Sequence, residues 1–190
     1  MEVITLNVKG FQEKCGELRS KLDFLPDLTV GVLHGGGFVV DEFNNVKSEY
    51  VKFQRENWLK NTFFIKFLLK KLPYSILNRL RVIESRRVEE SINHINKEIL
   101  KDQVVDFQFD YTKYEEINTV LIVDDAIDSG KTMFVVKNSL SNLFPNAQIK
   151  TAVISWTIED SIINPDYFIY KKTLVRFPWS KDYKGKDFEK

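Results

Sequence analysis

The residues with the clearest chemical potential lie between Val120 and Thr132. The run Val120-Leu121-Ile122-Val123 is apolar and ends in two adjacent carboxylates, Asp124 and Asp125, with Asp128, Ser129, Gly130, Lys131 and Thr132 close behind. A carboxylate accepts two hydrogen bonds well, so an adjacent pair at a strand end can grip the two hydroxyls of a sugar. The stretch from Asp128 to Thr132 reads as a turn that opens a helix. Free N–H groups there, with the positive end of the helix dipole, favour a phosphate. Gly130 admits close backbone approach, and the hydroxyls of Ser129 and Thr132 add donors. A second strand–turn–helix pattern precedes it: Leu28 to Leu33 is apolar, His34-Gly35-Gly36-Gly37 follows, and Phe38, Val39, Val40 and Phe43 continue as a helix. Three glycines expose backbone N–H groups suited to a dianion.

Rival readings of these motifs can be weighed on residues. Gly130-Lys131-Thr132 could end a P-loop, but that motif has a Gly five residues before Gly130, where Asp125 stands. The acid pair alone could mark a strand end that caps a helix, with Asp128 or Ser129 as N-cap. His34-Gly35-Gly36-Gly37 could be an esterase oxyanion loop, which requires a Gly-x-Ser-x-Gly turn that the chain lacks. It could also be a tight turn without a ligand, with His34 facing solvent.

Strand, acid pair, turn and helix together resemble the phosphoribosyl diphosphate (PRPP) signature of the type I phosphoribosyltransferases. The resemblance spans about Gln12 to Arg55 and Gln103 to Ser180. It implies transfer of ribose 5-phosphate from PRPP to a nitrogenous, purine or purine-like base, with release of pyrophosphate accompanied by Mg2+, and a place in nucleotide metabolism such as purine salvage. By resemblance Asp124 and Asp125 hold the ribose, and Asp125 also serves the metal. Asp128 deprotonates the incoming nitrogen, Asp128 to Thr132 hold the 5-phosphate, and His34, Gly35 and Gly36 hold pyrophosphate, with Arg55 in reach of it. Pro165-Asp166-Tyr167-Phe168 and Phe177-Pro178-Trp179 are similar to the base-covering strand and closing segment of the xanthine–guanine branch. Here the chain departs from the pattern. Ser155, followed by Trp156, stands where that branch reads the purine 6-oxo group with Lys. Leu174, followed by Val175, stands where an aromatic stacks on the purine. These four residues mark the expected base pocket and put a 6-oxopurine acceptor in doubt. Trp156 could equally pack in a core. The alternative is a non-catalytic regulator that binds PRPP or a nucleotide.

Elements to position these residues are legible along the chain. Strands alternating with helices indicate an α/β fold with a mostly parallel sheet and helices on both faces, whose ligands bind beyond the carboxyl ends of the strands. The expected elements are a helix from Gln12 to Leu22, strands at Leu28–Leu33, Ser48–Arg55 and Val104–Tyr111, a helix from Lys131 to Phe144, and strands at Ile149–Trp156 and Tyr167–Tyr170. A small C-terminal hood and a frayed charged tail after Trp179 complete a single domain. An insertion at about 58–100 interrupts the pattern. It is expected as two helices, Trp58 to Leu72 and Ser75 to Leu100, joined near Pro73. The first is apolar nearly all round, and Lys60, Lys66, Lys70, Lys71, Arg79, Arg81, Arg86 and Arg87 make the segment basic. This hairpin could lid the site, build a homodimer interface, lie on a membrane surface, contact nucleic acid or a protein, or be a solvated charge run.

Composition sets the outer bounds. The 190 residues suit one core, and 43% hydrophobic content excludes a disordered chain. A formal charge of +1 points to neither nucleic acid nor an acidic partner for the whole molecule. The lone Cys15 cannot make an internal disulfide, which fits the cytoplasm. The start of the chain lacks the basic and apolar regions of a signal peptide, and no stretch is apolar enough to span a bilayer.

Overall fold

The computed structural model describes residues 1–43, 47–53, 71–114 and 116–188. Its centre is a pair of parallel strands, β2 (Leu28–Leu33) and β5 (Thr119–Ile127). Beyond β2 lie β3 (Ser48–Lys52) and the two-residue β4 (Asp106–Phe107). Beyond β5 lie β6 (Gln148–Trp156) and β7 (Tyr167–Lys171), giving the order β4-β3-β2-β5-β6-β7. Every pairing is parallel except that of the edge strand β4 with β3.

The apolar run of β5 is explained by burial on both faces. Val120 and Ile122 pack in one layer with Leu28, Val30 and Val153, against Met133, Val136 and Leu140 of α5 (Lys131–Leu143). Leu121 and Val123 pack in the other layer with Ala152 and Ile154. There they meet Phe11, Cys15 and Leu18 of α1 (Val8–Ser20) and Val39 and Val40 of α2 (Gly35–Asp41). Burying each such side chain contributes about 1.5–3 kcal/mol relative to leaving it in water. α1 starts earlier than its apolar spacing predicts, because the Asn7 side chain accepts a hydrogen bond from the Gly10 N–H at 2.8 Å and caps the helix there.

The described part of the insertion, from residue 71 on, and the C-terminal segment meet at one end of the sheet. The predicted helix Ser75–Leu100 is in fact two: α3 (Tyr74–Ile92), entered through Pro73, and α4 (Lys97–Lys101). Asn93 ends the first, and the Asn96 side chain accepts from the Glu98 N–H to start the second. Asparagine favours such caps over helix interiors. The helix predicted over Trp58–Leu72 falls almost entirely outside the described residues. α3 contacts β1 (Glu2–Thr5), which pairs in parallel with β8 (Thr173–Arg176) to make a separate two-stranded sheet that roofs one end of the molecule.

Two expectations need correction. The alternation over Val104–Tyr111 gives a ladder of only two residues, Asp106 and Phe107, before a 3-10 turn at Tyr111–Lys113. Phe107 and Phe109 still pack against the core, Phe107 on Phe109 and Phe109 on Tyr114, while Tyr111 is exposed. The tail after Trp179 is packed, not frayed. Asp182 and Tyr183 are buried, Asp187 accepts from the Val8 N–H at 2.7 Å, and Lys184 Nζ donates to the Leu72 carbonyl at 2.6 Å. Among the described residues, no helix is long and apolar enough to cross a membrane.

Candidate functional site

The two glycine-bearing turns converge because their strands are neighbours. Gly31 of β2 is paired with Val123 of β5, so both chains leave the sheet side by side. The Leu33–His34 peptide is cis. A Cβ on Gly36 would stand 2.3 Å from the Val123 carbonyl oxygen, and one on Gly35 would stand 2.1 Å from the Asp125 carboxyl group. Gly36 meets backbone and so excludes a side chain, whereas a side chain at Gly35 would displace the Asp125 carboxylate; the first turn of α2 is seated directly against the acid-tipped end of β5.

The acid pair is held in a defined geometry. Asp124 is buried, and its Oδ1 accepts the Asp125 N–H at 2.9 Å. Asp125 Oδ2 accepts the Trp179 indole N–H at 2.9 Å. That indole lies parallel to Phe177, with centroids 5.0 Å apart, and edge-on to Phe11 at 4.9 Å. Asp128 is exposed at the next turn. Gly130 has φ +84°, a conformation glycine adopts freely, and its α-carbon faces Ile163 so closely that a Cβ would meet it at 3.0 Å. The Ile162 N–H donates to the Ser129 carbonyl at 3.0 Å and ties the turn down from outside. α5 then begins at Lys131 with no side-chain cap from Gly130, and its first-turn N–H groups point out of the helix.

These groups open on a cavity of about 650 Å³, a volume suited to a small molecule. Asp124, Asp125, Asp128, Ser129, Gly130, Lys131, Thr132, Leu174 and Val175 all line it, as the sequence predicts. His34, Gly35 and Gly36 are not among its lining residues; Gly35 abuts the Asp125 carboxyl group and Gly36 the backbone of Val123 and Asp124. Ser155 and Trp156 do not reach it. The Ser155 hydroxyl is fully buried and donates to the Thr173 carbonyl. Trp156 packs edge-on against Phe168 and donates its indole N–H to Ser161 Oγ at 2.9 Å. Ser155 and Trp156 are consecutive in β6 and so point to opposite faces of the sheet, where each is taken up by internal hydrogen bonds, and Thr157, just past the strand, lines the wall. Arg55 lies outside the described residues. Of the other wall residues, Thr157 is not singled out in the sequence, Arg81 is named only among the basic residues of an insertion that could lid the site, and Trp179 only as part of the closing segment. Phe177-Pro178-Trp179 carried a signal for the last, whereas nothing local separates Arg81 from the other basic residues of its helix.

Arg81 belongs to a charge cluster under the roof. Its Nε and Nη2 both donate to the Asp182 carboxylate, and its Nη1 donates to the Val175 carbonyl at 3.3 Å. Arg176, 1% exposed, donates to Asp182 Oδ2 at 2.9 Å, to Thr5 Oγ1 and to Asn78 Oδ1, and its guanidinium lies 4.3 Å over the Tyr74 ring. Burial alone would raise the Asp182 carboxyl pKa. The guanidiniums of Arg81 and Arg176 outweigh it and hold the group at about 2. Among the described residues, no three His, Cys, Asp or Glu side chains gather closely enough to enclose a metal by themselves.

Comparison with known proteins identifies the fold. No family model matches the chain, and no curated protein matches it in sequence. Among solved structures it is similar to a purine phosphoribosyltransferase from Pyrococcus horikoshii, at 17% identity over 100% of both chains with a TM-score of 0.57. It is also similar to a xanthine-guanine-hypoxanthine phosphoribosyltransferase from Helicobacter pylori, at 13% identity over 94% of both chains with a TM-score of 0.60. A third is a hypothetical protein from Neisseria gonorrhoeae with bound ppGpp, at 14% identity over 94% of this chain and 89% of that one, with a TM-score of 0.55. The architecture is thus that of the type I phosphoribosyltransferase fold, with its likeness to the purine branch.

Proposed function

We propose that this protein transfers ribose 5-phosphate from PRPP to a nitrogenous base, purine or purine-like, and releases pyrophosphate. The observation that carries the reading is the contact between the two turns: the Asp125 carboxylate rests on Gly35, so a sugar-holding acid pair and a glycine-rich anion loop share one rim. Asp124 and Asp125 hold the ribose hydroxyls. The amides from Ser129 to Thr132, at the start of α5, hold the 5-phosphate. His34, Gly35 and Gly36 hold the pyrophosphate.

The reaction follows from these placements. A nitrogen of the base forms a bond to ribose C1 as the C1–oxygen bond to pyrophosphate breaks, and the electron pair of that bond leaves with pyrophosphate. The exposed Asp128 carboxylate takes the proton from the nitrogen. Charge on the sugar rises in between, so catalysis is largely electrostatic. Mg2+ fits a site of this kind, since it binds through one or two carboxylates together with substrate oxygens, and Asp125 is the carboxylate at the rim; when bound, it offsets the charge of the departing pyrophosphate.

PRPP with Mg2+ should raise the melting temperature. At a hundredfold excess over Kd the gain is about 2.7 kcal/mol, roughly 5 to 10 °C for a chain of this length. Absence of a shift would remove the site assignment. Pyrophosphate release across a panel of bases then separates a transferase from a regulator that binds PRPP and turns nothing over. Asp128→Asn should lower turnover by about a hundredfold or more while PRPP affinity stays within about twofold; full activity in that variant would reject the proton-accepting role.

A further inference from the structure

The acceptor side of the cavity carries a cation that the sequence alone did not assign to it. Leu174, Val175 and Phe177 make that side apolar, and the carboxylates Asp124, Asp125 and Asp128 all enter from β5 and the turn after it. Arg81 enters from α3, beside Val175, whose carbonyl it touches. Three of its five N–H groups are engaged by Asp182 and Val175, which leaves two for a ligand in the cavity that Arg81 lines. The cluster is also charge-imbalanced: Arg81 and Arg176 share the single carboxylate of Asp182. One carboxylate facing two guanidiniums, that of Arg176 buried and that of Arg81 22% exposed, leaves room for a second anion, and of the two only Arg81 lines the cavity.

Resting on the transferase reading above, we propose that Arg81 determines acceptor specificity, by reading an anionic edge, a carboxylate or ionised oxo group, on a planar base. It would supply from the inserted helix the recognition that the buried Ser155 cannot. A guanidinium fork matches a carboxylate edge in two parallel hydrogen bonds, while the apolar wall takes the ring face.

Matched probes test this directly. Calorimetric titration with orotate against uracil, and with nicotinate against nicotinamide, compares rings that differ in an acidic substituent, with and without PRPP and Mg2+. The native protein is expected to bind at least one acid about tenfold or more tightly than its neutral partner. Arg81→Gln should bring that ratio close to one, and Arg81→Lys, which keeps the charge and loses the fork, should reduce it severalfold. A native ratio near one, including no binding by any probe, overturns the proposal, as does a ratio that survives in Arg81→Gln. Should Arg81→Gln fail to fold, an unchanged ratio in Arg81→Lys overturns it equally. The PRPP-induced melting shift, read on the same samples, reports separately on the transferase reading: its loss removes that reading whatever the ratio, and its presence with a flat ratio removes only the role of Arg81.

Discussion

The carboxylate of Asp125 is restrained from two directions, by the bare backbone of Gly35 beneath it and by the indole N–H of Trp179 beside it. A hydrogen bond to a charged acceptor is worth about 1.5–3 kcal/mol, and it fixes the position of the Oδ2 oxygen. Trp179→Phe keeps an aromatic ring against Phe177 and Phe11 and deletes the donor. It should weaken PRPP binding about tenfold with the far-ultraviolet circular dichroism unchanged, and equal affinity would show that the bond positions nothing. At this scale the sequence was informative where chemistry is local. The acids, Gly130 and the glycine loop announced themselves by type and spacing. Trp179 was marked only as part of a closing segment and Arg81 only as one basic residue among several, because their contacts with Asp125 and Asp182 join positions distant in the chain.

At the scale of elements, the cluster of Arg81, Arg176 and Asp182 fastens α3, β8 and the tail to one another. The folded-state pKa of Asp182, about 2, lies below the unfolded value of about 3.9. Its contribution to stability is therefore complete above about pH 4 and is lost as pH falls towards 2. Asp182→Asn leaves two guanidiniums facing a neutral amide and should cost about 3–5 kcal/mol at neutral pH. Urea denaturation of both proteins from pH 7 to pH 2.5 checks this: the gap between their midpoints should narrow towards the acid end, and a constant gap would mean that the charge of Asp182 is not what matters. The apolar run of β2 was legible residue for residue, whereas the strict alternation over Val104–Tyr111 overstated its strand. β1 and β8 were not, since four-residue strands that find each other across the whole chain leave no local pattern. Nor was the tail, whose charged residues suggested solvent and in fact have buried partners.

For the molecule as a whole, the layer between α1, α2 and the sheet can be followed through one atom. Cys15 is completely buried there, and burial, with a smaller contribution from Glu42, pushes its thiol well above the ordinary range. The native protein should resist thiol reagents, and labelling should proceed at the rate of opening of this layer, rising with urea along the global unfolding curve. Rapid labelling of the native state would show that the α1 face opens on its own.

Pairing Glu2 with Thr173 and Thr5 with Arg176 joins segments almost as far apart as this polypeptide allows. A ribosome adding about 5–20 residues per second leaves β1 waiting several seconds or more for its complement. Closing so large a loop also places this contact among the slowest to form. The strands bearing the glycine turn and the aspartates, β2 and β5, are complete by Ile127, well before β8 begins at Thr173, so a nascent chain halted short of β8 would leave Asp124 and Asp125 without the roof that the β1–β8 pair supplies.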